Sequence, residues 1–260
     1  MDIRFHTLYE RKLSYAPKWL LDMPGEVNIY DEYNIGIPLG KNPLLLMIEP
    51  RSIEPAAYEW VEHHYSEYKY VFTYDSRLLE KCSNAKVFLY CGVSLFSNSP
   101  KTKMISMACS GKTSCDGHIE RLRIARLLKD KIDTYGRFDG GTYVDDSEIY
   151  SPYKFNIAME NYSDGYYFTE KILNCFATKT IPVYYGCPNI SEFFNNKGIF
   201  QVKDTENILK VVDVILEHGD LIYESLKDAV EENYKRVARY ERLEQPFFDM
   251  YSELLGEIAQ

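Results

Sequence analysis

Thirteen residues from Met159 to Lys171, with the sequence MENYSDGYYFTEK, concentrate polar, acidic and aromatic side chains between two apolar runs. The preceding run, YKFNIA, alternates as a strand does, and the following run, ILNCFA, has helical spacing. The segment is therefore predicted to join the end of a strand to the start of a helix. Helix starts carry unpaired N–H groups and a positive dipole end, so such a junction suits an anion.

Lys171 is the most informative residue of this segment, because the predicted helix begins near Thr169. A cation in the first turn opposes the helix dipole by about 0.3–1 kcal/mol, and a bound anion would account for it. Glu170 suits the dipole and could accept hydrogen bonds from ribose hydroxyls. The alternative is that Thr169 only caps the helix, Glu170 is an ordinary first-turn acid and Lys171 is solvated. The chain has neither GxGxxG nor GxxxxGK[ST], so local chemistry indicates only a candidate nucleotide-phosphate pocket.

The elements that must position this segment alternate between strands and helices. Strands are predicted at 41–50, 68–75, 85–92, 104–109, 131–136, 153–160 and 180–186. Helices are predicted at 55–68, 118–131 and 168–179, with further helices in the tail after residue 205. Residues 19–23 and 26–30 are possible short elements. This alternation is typical of parallel sheets with crossover helices, in which ligands bind beyond the carboxyl ends of the strands.

A polar stretch, SPKTK at 99–103, separates two such alternations. We therefore predict an α/β protein with two Rossmann-like doubly wound domains, residues 1–98 and 99–240. The last segment, 241–260, is predicted to be a helix that packs back on the first domain.

Composition excludes several function classes. The formal net charge of -9 argues against general binding to nucleic acid or to an anionic membrane surface. No apolar run reaches about 18 residues and the N-terminus has no apolar signal region, so neither a transmembrane helix nor a secretory signal is predicted. A cytoplasmic protein, or one peripheral to a membrane, is expected. The six cysteines form no CxxC pair, so zinc is not indicated and reduced thiols are expected.

The segment 153–194, YKFNIAMENYSDGYYFTEKILNCFATKTIPVYYGCPNISEFF, resembles the donor-binding region of the α-1,3/1,4-fucosyltransferase family. The shared pattern is YKF-x-x-x-x-EN, a variable loop, Y-x-TEK, a helix of small residues and a PV-x-x-G strand. Weaker similarity covers Arg121, Leu128 and IDTYG at 132–136, and also ENYKRVARYERL at 232–243. Within this family, the sequence most resembles the compact bacterial or viral members. The resemblance implies the GT-B architecture, two Rossmann-like domains facing a cleft, with GDP-fucose held by the C-terminal domain and the acceptor by the N-terminal domain.

Carried over by position, the resemblance assigns the donor site to residues of the opening segment. Tyr167, Glu170 and Lys171 would line the nucleotide sugar, with Glu170 towards the ribose and Lys171 towards the diphosphate. Glu160 and Asn161 would shape the pocket around the sugar and the phosphates.

Thr169 is also assigned to the donor site. Arg121, at the start of its own helix, would be the second phosphate cation and would stabilise the departing GDP. Arg123 is the alternative if the alignment is displaced, and an exposed helical arginine is the alternative without the family.

An inverting transfer requires a carboxylate that deprotonates the acceptor hydroxyl. The family places a glutamate after a strand of the N-terminal domain, which indicates Glu49, with Glu54 as the fallback and an ordinary turn or N-cap carboxylate as the alternative. His63 and His64 are further candidates for the base, but on a helix between strands they are expected to be surface residues. The chain has no DxD motif, since the Asp145–Asp146 pair lacks the spacer and precedes a variable loop. We therefore expect no metal requirement and no permanently bound cofactor.

Three functions are compatible with the sequence. The first is inverting transfer of L-fucose from GDP-fucose to a hydroxyl of a glycan acceptor. The second keeps the fold and mechanism with another nucleotide sugar, for example a UDP-sugar, because the matching residues hold diphosphate and ribose. The third is a non-catalytic carbohydrate-binding protein.

Overall fold

The computed structural model describes residues 1–6, 15–89 and 91–260, apart from the side chain of residue 259. The chain divides into two compact units. The first unit contains Met1–Cys91, Asp164–Tyr167 and Arg242–Gln260, and the second contains Gly92–Ser163 and Phe168–Glu241. None of the helices in the described part of the chain has the length and apolar content that a membrane span requires.

The first unit is built on a sheet of five parallel strands that lie side by side in chain order. The strands are β1 (Asp2–His6), β2 (Glu26–Asp31), β3 (Pro43–Leu46), β4 (Tyr70–Thr73) and β5 (Ala85–Val87). The helices, numbered in chain order, are α1 (Lys18–Leu21), α2 (Pro55–His64), α3 (Ser76–Lys81) and α9 (Gln245–Ala259).

Successive residues of a strand point to opposite faces of the sheet, so both faces of this sheet carry apolar side chains. Helices cover both faces. Leu44 and Leu46 of β3 pack in one cluster with Phe248 of α9. Leu45, between them, packs in the other cluster with Tyr58 of α2. Pro55 stands at the first position of α2, where its missing N–H costs no hydrogen bond.

The second unit also has a sheet of five parallel strands, in the order β10-β9-β8-β6-β7. The strands are β6 (Lys103–Ala108), β7 (Asp133–Tyr135), β8 (Tyr153–Met159), β9 (Ile181–Tyr185) and β10 (Phe200–Gln201). The helices are α4 (Asp116–Leu128), α5 (Asp146–Tyr150), α6 (Glu170–Ala177), α7 (Glu206–Ser225) and α8 (Lys227–Val237).

The order of the second sheet reverses between β6 and β8, because the chain leaves β6 for β7 at one edge and returns to β8 on the other side. Such a reversal creates a crevice outside the carboxyl ends of the two strands, where ligands bind in open α/β sheets. Strand β8 is buried along nearly its whole length, as a central parallel strand requires.

The predicted strands and helices correspond to observed elements, most of which are shorter than predicted, and the short elements β1, α3, α5 and β10 were not predicted. The Asp145–Asp146 pair does not precede a variable loop, because Asp145 accepts a hydrogen bond from the N–H of Ser147 and caps α5. Two 3-10 turns follow β9, Ile190–Glu192 and Asn196–Gly198, and Asn195 caps the second through the N–H of Lys197.

Candidate functional site

The candidate site lies at the switch point of the second unit, where β6 and β8 end and α4 and α6 begin. Gly117, in the first turn of α4, lies against the main chain that follows β8. A Cβ atom at position 117 would overlap the carbonyl oxygen of Asn161, so this close approach requires glycine. The start of α4 is therefore held directly beside the residues that leave β8.

Glu160 connects the end of β8 to the start of α6. Its side chain is fully buried, and its two oxygens accept hydrogen bonds from the Thr169 N–H at 2.9 Å and the Thr169 hydroxyl at 2.8 Å. The Lys171 ammonium lies 3.2 Å from the same carboxylate. Charge-assisted hydrogen bonds of this kind make a buried carboxylate tolerable, so Glu160 fixes the geometry of the junction.

Lys171 has partners inside the protein. Besides Glu160, its Nζ lies 3.0 Å from the Thr169 hydroxyl and 3.4 Å from Glu170. Burial lowers the pKa of Lys171, but the charges of Glu160 and Glu170 outweigh burial and hold that pKa above its ordinary value. The internal carboxylates thus account for a cation in the first turn, and its position alone does not require a bound anion.

Glu170 differs from Glu160 in leaving half of its side chain, 52%, exposed. The neighbouring Lys171 charge is the main cause that lowers the pKa of the Glu170 carboxyl. Glu170 is therefore an ionised and accessible hydrogen-bond acceptor at the start of α6.

Arg121 and Arg123 lie in different surroundings, although both are on α4. Arg121 is only 6% exposed, donates from Nη1 to the carbonyl of Met159 at 3.1 Å, and has an Nε without a partner among the described residues. Arg123 is about 40% exposed and pairs with Glu120 and Glu206. Of the two, Arg121 is the arginine that the structure places at the end of β8.

His118 is a residue of this cluster that we did not predict from the sequence. It lies one helical turn before Arg121, is buried, and has an Nδ1 with no partner among the described residues. Burial lowers its pKa, and the charges of Arg121, Lys112 and Lys171 lower it further, so the imidazole is neutral at pH 7. Its i, i+3 spacing from Arg121 on a predicted helix was the signal that could have identified it.

Asn161 completes the cluster, because its Oδ1 is also buried without a partner among the described residues. Each unpaired buried polar group costs about 1–3 kcal/mol. Such groups are rare in native proteins and call for a functional explanation. His118, Arg121 and Asn161 bring three of them to one strand end, beside the Lys171 ammonium and two helix starts. This arrangement offers hydrogen-bond donors and positive charge to an anion such as a diphosphate.

Tyr167, predicted at the donor site, clusters with the first unit. Its ring centroid lies 4.7 Å from that of Tyr74, and it is buried. Nearby, Asp164 accepts hydrogen bonds from the N–H and hydroxyl of Ser76. A role of Tyr167 in donor binding stays a prediction.

Glu49 lies just beyond the end of β3 in the first unit. It is half-buried, and its carboxylate has no hydrogen bond or ion pair among the described residues. Glu54 immediately precedes α2, without capping it through its side chain. Of the two histidines on α2, His63 is exposed, and His64 stacks on Trp60 with ring centroids 4.1 Å apart.

Metal-ligating side chains do not cluster in the described parts of either unit in groups of three or more. All six cysteines are buried, and none forms a disulfide bond in the described chain.

The fold defines the class of protein. The chain has the GT-B glycosyltransferase fold, as expected from the sequence. A solved GtfA/B complex aligns with a TM-score of 0.56 at 13% identity, over 92% of this chain and 59% of that chain. The structure of TarM aligns with a TM-score of 0.55 at 11% identity, over 89% and 54%.

Sequence comparison then identifies the family. Residues 98–225 match the family described as glycosyltransferase family 10 (fucosyltransferase) C-term, so this part of the chain belongs to that family. The Helicobacter pylori alpha-(1,3)-fucosyltransferase FucT is 41% identical over 70 residues, 26% of this chain and 14% of that protein. A putative fucosyltransferase-like protein of Arabidopsis thaliana is 37% identical over 117 residues, 42% and 22%. The matches thus span less than a quarter of either relative. They confirm the resemblance of residues 98–225 to the fucosyltransferase family.

Proposed function

We propose that the chain transfers L-fucose from GDP-fucose to a hydroxyl of a glycan acceptor, with inversion at the anomeric carbon. The observation that carries this proposal is the cluster of His118, Arg121 and Asn161. Their buried atoms lack partners among the described residues, and they lie at the switch point of a family 10 fucosyltransferase domain.

The proposed donor contacts follow from the accessible chemistry of this cluster. Arg121 donates one N–H to the Met159 carbonyl, so its remaining N–H donors are available to the diphosphate. Lys171 adds a second cation, and the accessible carboxylate of Glu170 can accept hydrogen bonds from the ribose hydroxyls. Asn161 offers an unused Oδ1 to the sugar. Residues 99–240 would thus form the donor-binding domain and residues 1–98 the acceptor-binding domain.

In the transfer step, the acceptor oxygen attacks the anomeric carbon while the bond from that carbon to the GDP oxygen breaks. The electron pair of the breaking bond leaves on GDP, where Arg121 stabilises the developing negative charge. The acceptor proton passes to Glu49, whose carboxylate has no partner among the described residues, with Glu54 as the fallback base. Two cations neutralise the diphosphate in this scheme, so the proposal includes no divalent ion.

Titration of GDP-fucose against the wild-type protein and three variants tests the donor site. Arg121→Met and Lys171→Met each remove one charged donor, and we expect the Kd to rise about 10- to 100-fold, which corresponds to about 1.5–3 kcal/mol. Arg123→Met is the matched control, because Arg123 lies on the same helix with its charge paired at the surface. Its Kd should remain within about twofold of wild type.

A panel of GDP- and UDP-sugars in the same titration tests the choice of donor. Binding of GDP-fucose with release of fucosylated acceptor supports the proposal. If only UDP-sugars bind, the donor is not GDP-fucose and that part of the proposal is refuted. An unchanged Kd in Arg121→Met would refute the proposed role of Arg121 in binding the diphosphate.

A further inference from the structure

A buried glutamate of the first unit lies directly behind the proposed base. Glu32 follows β2 in a 3-10 turn, Glu32–Asn34, and is 3% exposed. Its Oε2 accepts the N–H of Ile48 at 2.9 Å, and its Oε1 accepts the N–H of Glu49 at 2.7 Å. One carboxylate therefore receives two consecutive main-chain donors at the point where the chain leaves β3.

The main-chain carbonyl groups of Ile48 and Glu49 also accept hydrogen bonds from side chains. The carbonyl of Ile48 accepts the hydroxyl of Tyr74 at 3.0 Å, and the carbonyl of Glu49 accepts the hydroxyl of Tyr58 at 2.8 Å. All four polar main-chain groups of Ile48 and Glu49 thus have a side-chain partner, which fixes both peptide units without help from a neighbouring strand.

The chain just after Glu49 is held equally firmly. The Arg51 guanidinium donates two hydrogen bonds to Asp75, at 2.8 and 2.9 Å, and one to Glu62 at 2.9 Å. It also lies over the ring of Tyr58, 4.6 Å from the centroid. Glu49 is therefore held on both sides through its main chain, while its own carboxylate has no partner among the described residues.

Glu32 suits this role because it is a carboxylate. Two N–H donors approach two different oxygens, and both oxygens of an ionised carboxylate accept. A glutamine amide would turn its NH2 group towards one of these donors. Keeping an ion in a buried position is unfavourable, so the choice of glutamate over a neutral side chain needs a reason beyond packing.

We propose that Glu32 is a positioning residue for the transfer reaction, which fixes the Glu49 main chain so that the Glu49 carboxylate meets the acceptor hydroxyl. This inference rests on the proposed function, in which Glu49 is the base. Glu32 itself touches no substrate in this assignment and acts only through the geometry of Glu49.

The protonation state of Glu32 provides a readout that simple packing would not. Burial, and to a lesser degree the charge of Asp31, raise the pKa of Glu32 to about 7. Below that pH the Glu32 carboxyl is protonated, so one of its two oxygens carries a hydrogen and no longer accepts the main-chain N–H of Ile48 or Glu49. Tyr58 and Tyr74, which also face Glu32, stay neutral because burial raises the pKa of each well above its ordinary value. Transfer by the wild-type protein should therefore increase through pH 7, with Glu49 in place only above it.

The experiment measures kcat, KM and donor Kd between pH 5.5 and 8.5 for wild type, Glu32→Gln and Glu49→Gln. Glu59→Gln, an exposed glutamate on α2, is the matched control. We expect Glu32→Gln to lower kcat about 100-fold, as a displacement of about 1 Å does, with donor Kd and KM within about twofold of wild type. The increase of rate through pH 7 should be lost in Glu32→Gln and kept in Glu59→Gln.

The outcomes separate the two proposals. Full activity in Glu49→Gln would refute the proposed base and this inference with it. An inactive Glu49→Gln together with wild-type kcat in Glu32→Gln would refute the positioning role alone. A lower kcat with the pH dependence unchanged would also refute it, because that result indicates a purely structural loss. If Glu32→Gln does not fold, Tyr74→Phe removes one bond of the same scaffold, and a wild-type kcat there counts against the proposal.

Discussion

Replacing Glu32 by glutamine should change how the stability of the first unit depends on pH. The folded-state pKa of this carboxyl, about 7, lies above the ordinary value of 4.5, chiefly because burial penalises the charged form. A group with a raised folded-state pKa contributes its stability below its unfolded pKa and loses it as the pH rises through the folded pKa. Glu32 therefore makes the wild-type unit less stable at pH 8 than at pH 5, and glutamine has no such effect.

The magnitude follows from the same two values. A difference of one in pKa corresponds to about 1.4 kcal/mol, so the rise from 4.5 to about 7 amounts to about 3.4 kcal/mol. About 2.5 kcal/mol of this falls between pH 5 and pH 8, because Glu32 is already partly ionised in the unfolded chain at pH 5. Since Glu32 is almost fully buried, solvent screening reduces this figure little.

The assay is urea unfolding followed by tryptophan fluorescence at pH 5, 6, 7 and 8. Both tryptophans of the chain, Trp19 and Trp60, belong to the first unit, so the signal reports on the unit that contains Glu32. The free energy of unfolding comes from the midpoint and slope of the transition.

We expect the free energy of unfolding of Glu32→Gln, relative to wild type, to increase by about 2.5 kcal/mol from pH 5 to pH 8. The control variant Glu59→Gln should give the same pH dependence as wild type. Parallel curves for Glu32→Gln and wild type would show that Glu32 does not titrate near pH 7 in the folded protein. That result would refute both the magnitude and the pH readout proposed for the positioning role.

Two further predictions concern the second unit. Gly117→Ala should lower the melting temperature and weaken GDP-fucose binding, because its Cβ would displace the main chain at Asn161. In the control Gly256→Ala the three atoms nearest the new Cβ are side-chain atoms of Met23 and Trp19, at 3.3 to 3.7 Å, and both quantities should stay close to wild type. Lys171→Met should destabilise the fold by about 3–5 kcal/mol, because it leaves the Glu160 charge buried with weaker compensation. Adding Glu160→Gln to Lys171→Met should recover part of that loss in thermal unfolding, and a strictly additive pair would contradict the coupling.

The elements that the sequence predicted best are those with strong local signals. The alternation in 153–160 and the apolar stripe in 168–179 correspond to β8 and α6. Strand β8 is buried at the centre of a parallel sheet, and α6 buries its apolar residues against β8 and β9. Strand β1 and helices α3 and α5 escaped prediction because five or six residues carry too little periodicity to distinguish a short element from a loop.

The individual site contacts were harder to predict, because they join residues that are distant in the chain. The position of Lys171 in the first helical turn suggested a bound anion. The sequence does not show that the Glu160 carboxylate, eleven positions earlier in the chain, lies next to the Lys171 ammonium. Glu32 escaped notice for the same reason, because its partners are 16 and 17 residues further on. Only the parallel sheet, which brings successive strand ends to one edge, creates these neighbours.

Each unit retains unfavourable electrostatics at the place where we propose chemistry. Glu32 keeps a charge in a buried position at pH 8, and His118, Arg121 and Asn161 leave buried atoms without partners among the described residues. Sequences selected for stability alone would replace such groups, because each reduces the free energy of unfolding. Their presence at two strand ends, with saturated hydrogen bonding around Glu49 and Glu160, is the pattern expected where a rigid scaffold holds reactive or ligand-binding groups ready.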